Sequence, residues 1–118
     1  MIWVEPQSLH HVSVMVDDLA AATDFYVHRL GLQQRTDRPG TLGPGVWLDI
    51  GSAQVHLIQG TAPNAAGQHF ALGVADLDAA VAELRDAGIT VGEPKSIGAG
   101  RQAFLSDPSG NGIELQGR

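Results

Sequence analysis

Residues 9–16, LHHVSVMV, alternate strictly: Val12, Val14 and Val16 fall on one face, His11, Ser13 and Met15 on the other. That period of two predicts a strand. The pattern then changes to helical spacing through Ala20, Ala21, Ala22, Phe25, Tyr26, Arg29 and Leu30, with Asp17 or Asp18 as cap and Gly31 as stop. A strand is expected at 32–36, a Pro/Gly-rich loop at 38–45, and a hairpin of strands 46–50 and 53–59 across Gly51-Ser52. Val46, Leu48, Ile50, Val55 and Leu57 make its aliphatic face; Trp47, Asp49, Gln54, His56 and Ile58 lie opposite.

After the small, uncharged stretch 60–67 the same plan returns. A strand at 68–75 sets Phe70, Leu72 and Val74 against His69, Ala71 and Gly73, and Asp76 caps a helix running to about Ala87, with Gly88 as its stop. A strand at 89–91, a loop at 93–100, and strands at 101–106 and 112–116 around the turn 107–111 complete it. The return is a repeat in the residues themselves. An offset of 58 carries His11 onto His69, Asp18 onto Asp76 and Val55-His56-Leu57 onto Ile113-Glu114-Leu115. The chain is therefore read as one α+β domain, 1–118, of two tandem βαβββ modules at about 8–59 and 68–117, joined by a linker at 60–67.

A length of 118 residues suits one such domain. A net charge of −6 without basic runs argues against nucleic acid and anionic membrane as partners. Cysteine is absent, which excludes disulfides, thiolate metal sites and a Cys nucleophile. The opening MIWVEPQS has no signal-peptide pattern and no apolar run approaches a membrane span, so a cytoplasmic protein is expected.

Chemistry enters through the non-aliphatic faces. They collect His11, His56, His69 and Glu114 from four separate strands, all metal-ligand types, and a sheet that curls would bring them together around a cavity. Ser13, Met15, Trp47 and Gln54 share those faces as pocket lining, and Arg101 is a candidate for an anionic substrate group. His10 alternates to the opposite face from His11, where a structural or capping role is expected, and His28 is expected on the surface near a helix end. The few aromatic residues offer no obvious platform for a flat drug.

The segments HHVSVMVDDLAAATDFYVHRLGL, QHFALGVADLDAAVAELRDAGI and FLSDPSGNGIELQ resemble the vicinal oxygen chelate superfamily of glyoxalase I, bleomycin-resistance proteins and extradiol dioxygenases. The resemblance implies a curled, cup-shaped mixed sheet completed as a homodimer, and one divalent metal (Zn, Ni, Mn, Co or Fe(II)) for a small-molecule substrate. His11, His69 and Glu114 match its ligand positions, and His56 stands where glyoxalase I-like members carry Glu or Gln. The implied activity is that of a lyase or isomerase like lactoylglutathione lyase, with Glu114 as both ligand and proton-exchanging catalytic residue. A thiol transferase, an extradiol-type dioxygenase and a non-catalytic, drug-sequestering protein remain as alternatives. The segment 96–104, SIGAGRQAF, lacks the acidic and hydroxyl residues of fosfomycin-resistance enzymes.

Overall fold

The computed structural model describes residues 4–62 and 67–118, so the centre of the linker lies outside the described residues. The first module runs β1 (His11–Val16), α1 (Leu19–Asp24), β2 (Gln33–Gln34), β3 (Gly45–Ile50) and β4 (Ala53–Gln59). The second runs β5 (His69–Gly73), α2 (Leu77–Asp86), β6 (Lys95–Ile97), β7 (Gly100–Ser106) and β8 (Gly112–Gly117). Each makes its own four-stranded mixed sheet, in the orders β1-β4-β3-β2 and β5-β8-β7-β6. In both, the first strand lies parallel to the last and the remaining pairs are antiparallel.

The alternation decides which face each helix covers. Val14, Val16, Val46, Leu48, Val55 and Leu57 are buried on one side of the first sheet, and Leu72, Ala103, Leu105, Ile113 and Leu115 on one side of the second. Removing a leucine or valine side chain from water in this way contributes about 1.5–3 kcal/mol. Asp18 and Asp76 cap the two helices identically, each carboxylate accepting the backbone N–H three residues on, from Ala21 and Ala79, at 3.0 Å. The first helix widens into a π turn at Phe25–Arg29, with Leu30 N–H bonded to Phe25 O at 3.0 Å. That turn buries Phe25 and Tyr26 side by side. Gly31 and Gly88, at φ of 82° and 84°, end the two helices in the left-handed region that glycine favours.

Two expectations fail in the second module. Residues 89–91 are not a strand: Val91 is buried, and the neighbouring Gly92 makes a single backbone bond to Phe104 O. The fourth strand is β6 instead, inside the stretch read as a loop. Its three residues are all exposed, so no buried face imprints an alternation on it, and the Ile97–Gly100 pairing places it at the sheet edge.

The turn at residues 107–111 proves to be the joint between modules. The buried Asp107 carboxylate accepts bonds from the backbone of Ser109 and Asn111, from Asn111 Nδ2 and from the buried Tyr26 hydroxyl, at 2.8–2.9 Å. Asn111 Nδ2 also donates to Met15 O, and Ser109 Oγ donates to Asp17. Burial first, then the Asp107 charge and hydrogen bond, push the Tyr26 phenol well above its ordinary pKa. The sheets stay open: the radius of gyration is 15.2 Å, against about 13.5 Å for a compact chain of this length.

Candidate metal and ligand face

Strand register arranges the uncovered face of each sheet in rows. On the first sheet they read His11–Gln54–Asp49, Ser13–His56–Trp47 and Met15–Ile58–Gly45 across β1, β4 and β3. On the second they read His69–Gly112–Ser106, Ala71–Glu114–Phe104 and Gly73–Gln116–Gln102 across β5, β8 and β7. The four candidate ligands thus stand at matched places, two per sheet, on the faces opposite the helices. Within one chain they form two pairs, not one group. Among the described residues no three His, Asp or Glu side chains are gathered closely enough to hold an ion.

The pair on the second sheet is tightly defined. Glu114 is buried, His69 Nε2 lies 3.0 Å from Glu114 Oε1, and His69 Nδ1 is 3.0 Å from Gly67 O. A carbonyl only accepts, so Nδ1 carries a proton, and Nε2 faces the carboxylate either with a second proton between them or with its lone pair. Two acceptors at that distance face each other only across a shared proton or a cation. Their 3.0 Å separation also matches the edge of a coordination octahedron with bonds of about 2.1 Å. Donor chemistry and geometry both fit a divalent ion, and the Gly67 carbonyl orients the ligand from behind.

The pair on the first sheet is looser and aromatic. His11 and His56 stack with centroids 4.0 Å apart and planes 13° apart, and Trp47 stacks on His56 at 4.8 Å and 17°. His56 Nε2 is 2.8 Å from Gln54 Oε1, which leaves Nδ1 with its lone pair. Burial, then the charges of His11, His10, Arg38 and Arg35, hold the His56 imidazole below its ordinary pKa. A neutral imidazole is the form a metal needs.

Two sequence-derived placements change. Arg101 donates to Asp78 of α2 at 2.9 Å and shares the strand face of buried Ala103 and Leu105, so it lies on the helix-covered side and does not line the pocket. The residues beside it, Gly100 and Gln102, give no hydrophobic alternation from which its face could be read. His10 is drawn back beside His11, with Nδ1 atoms 2.8 Å apart, because it precedes β1 and strand alternation does not govern it. Trp47, His56 and His11 stack into one aromatic column, which residue counts alone do not reveal. Ser13, Met15, Trp47 and Gln54 lie on the uncovered face as expected.

Residues 8–115 match the Glyoxalase/Bleomycin resistance protein/Dioxygenase superfamily. The chain belongs to that family, and its two open four-stranded sheets are the family's paired βαβββ modules. It is 34% identical to the uncharacterized protein YwkD of Bacillus subtilis (strain 168), over 92% of this chain and 95% of that one. Among solved structures, it superposes with a TM-score of 0.87 on a glyoxalase family protein from Bacillus anthracis, at 25% identity and over 99% of both chains. It superposes at 0.83 on TnmS3, an antibiotic binding protein from Streptomyces sp. CB03234, at 32% identity over 97% of this chain and 98% of that one. No described helix is long and apolar enough to cross a membrane.

Proposed function

We propose that this protein is a divalent-metal-dependent lyase or isomerase acting on a small oxygen-bearing substrate. Its site is shared across a homodimer, His11 and His56 coming from one chain and His69 and Glu114 from the other. The observation that carries this reading is the pair of half-sites at matched register, neither completed by a third ligand among the described residues. An ion held there would supply Lewis-acid polarisation of two adjacent substrate oxygens. Three neutral imidazoles and one carboxylate around a divalent ion leave a net charge of +1, which favours an enolate or alkoxide. Glu114 is the carboxylate available to exchange a proton with substrate. Trp47 and Phe104 flank the half-sites, beside His56 and His69.

Complementation tests the shared site. His56→Ala and Glu114→Ala proteins each lose metal-dependent turnover of methylglyoxal with glutathione. Mixed and allowed to exchange subunits, they regain about a quarter of it, because half the dimers are hybrids with one intact site each. No recovery on mixing would place all four ligands within one chain, and no turnover by the wild type with any divalent metal removes the lyase reading.

A second reading rests on the stacked column. Trp47, His56 and His11 stack in one aromatic column with the Trp47 indole at its end, and TnmS3, similar along nearly the whole chain, binds an antibiotic. On this reading the protein sequesters a flat small molecule in the cytoplasm without transforming it. Quenching of Trp47 fluorescence by such a molecule, in metal-free protein and without product, distinguishes it from the first.

A further inference from the structure

The uncovered face of the first sheet holds a cation that neither ligand pair uses. Arg38 leaves the loop before β3 and lays its guanidinium over Gly45, at the end of the Met15–Ile58–Gly45 row. A Cβ on Gly45 would point from the same face as Trp47 and would collide with the guanidinium, reaching Arg38 Cζ at 2.7 Å. The same Cβ would also meet the Leu57 carbonyl oxygen at 2.7 Å, so glycine here lets both the neighbouring strand and the Arg38 side chain approach closely. The guanidinium lies one two-residue repeat, about 6.8 Å along β3, from the row of His56 and Trp47.

Its partners do not satisfy it. Arg35 pairs with Asp37 and Asp49, Arg85 with Glu93, and Arg101 with Asp78. Arg38 has no carboxylate partner among the described residues, and its one hydrogen bond runs from Nη1 to Gly43 O at 2.6 Å. Its Nε is buried with no partner at all. Of its five N–H groups one is bonded to Gly43 and the Nε–H is buried, and the three remaining Nη N–H groups, without a partner among the described residues, match the oxygens of a carboxylate or a phosphate. The net charge of −6 repels anions in general, so an anion that binds this protein does so at a local site.

We propose that Arg38 is a specificity-determining residue of this face and binds the carboxylate or phosphate group of an anionic substrate. The proposal rests on the reading of this face as the ligand face and adds the substrate's charge to it. The substrate then carries an anionic group roughly one strand repeat, about 7 Å, from the oxygens presented to the His56 row.

The test is a titration of the full-length protein with malonate and, separately, with inorganic phosphate, at constant ionic strength. It is followed by the Arg38 Nε–H and Trp47 indole N–H signals in NMR. Saturable shifts at both groups are expected with at least one probe, and the tighter of the two identifies the class. Arg38→Met weakens that binding about tenfold or more, while Arg38→Lys retains part of it. Loss of the Trp47 response in Arg38→Met, in protein whose remaining spectrum is unchanged, excludes unfolding as the cause. Absence of saturable shifts with both anions, or shifts at Trp47 that survive in Arg38→Met, overturns the proposal. Zinc uptake by the same wild-type samples keeps the two readings apart. Anion binding without zinc uptake sinks the metal enzyme and leaves this site standing, and zinc uptake without anion binding does the reverse.

Discussion

On the first sheet the middle row of the uncovered face reads Ser13, His56, Trp47; on the second it reads Ala71, Glu114, Phe104. The topology is one, written twice, but the chemistry has separated. The first module presents three imidazoles, an indole and a guanidinium, none of them paired with a carboxylate among the described residues. The second presents one buried carboxylate and one imidazole fixed from behind by a backbone carbonyl. Their turns diverge as well. Where the first module closes β3 to β4 across Gly51-Ser52, the second builds the Asp107 cage that grips Tyr26 and Met15 of its neighbour. Matching positions thus carry different chemistry: a buried carboxylate and a backbone-held imidazole in one half, stacked aromatic rings and a guanidinium in the other.

The sharpest break in that comparison is at Glu114. Glu114→Ala should lower divalent-metal affinity by more than about 100-fold, whereas His56→Gln, which keeps an oxygen or nitrogen donor, should cost nearer tenfold. Competition with a chromogenic chelator reads both, and equal losses would mean that the halves contribute alike. Asp107→Ala comes next. It strands four donors, two of them from buried or half-buried side chains, and should destabilise the fold by about 2–4 kcal/mol in urea unfolding. A loss below about 1 kcal/mol would show that the joint carries little.

A smaller effect separates the halves by pH. His56 binds its proton less readily folded than unfolded. Its contribution is therefore complete above the unfolded pKa of about 6.5 and shrinks as pH falls below it. His56→Gln should flatten that part of the stability profile, and an unchanged slope between pH 5 and 7, on the order of the His range, would remove the assignment. The smallest effect is expected at the exposed Arg101–Asp78 pair. There the Arg101 hydrogen bond holds the Asp78 carboxyl below its usual range, yet solvent screens the interaction. Arg101→Met should leave ligand affinity and melting temperature nearly unchanged, and a marked loss of affinity would return Arg101 to the pocket.

Much of the fold is legible because alternation records burial. Every strand with one apolar face was found, from β1 to β8, and both helix caps are written as Asp followed by a run of helical spacing. β6 escaped because an exposed edge strand needs no alternation, and 89–91 misled because Val91 is buried without joining a ladder. The candidate ligands were legible for the same reason as the strands: parity assigns a side chain to a face. Parity stops at strand ends, so it misplaces His10, and it fails between glycine and glutamine, so it does not give the face of Arg101.

The residues alone determined the duplication, the α+β plan, the faces, and the four ligand-type side chains at matched positions, since each depends only on spacing along one chain. Tertiary structure decided that those four stand as two pairs, that Trp47, His56 and His11 stack, that residues 107–111 bind the modules together, and that Arg38 rather than Arg101 reaches the open face. All of these depend on how separate strands and loops pack in space. A local pattern of hydrophobic and polar positions does not carry that information.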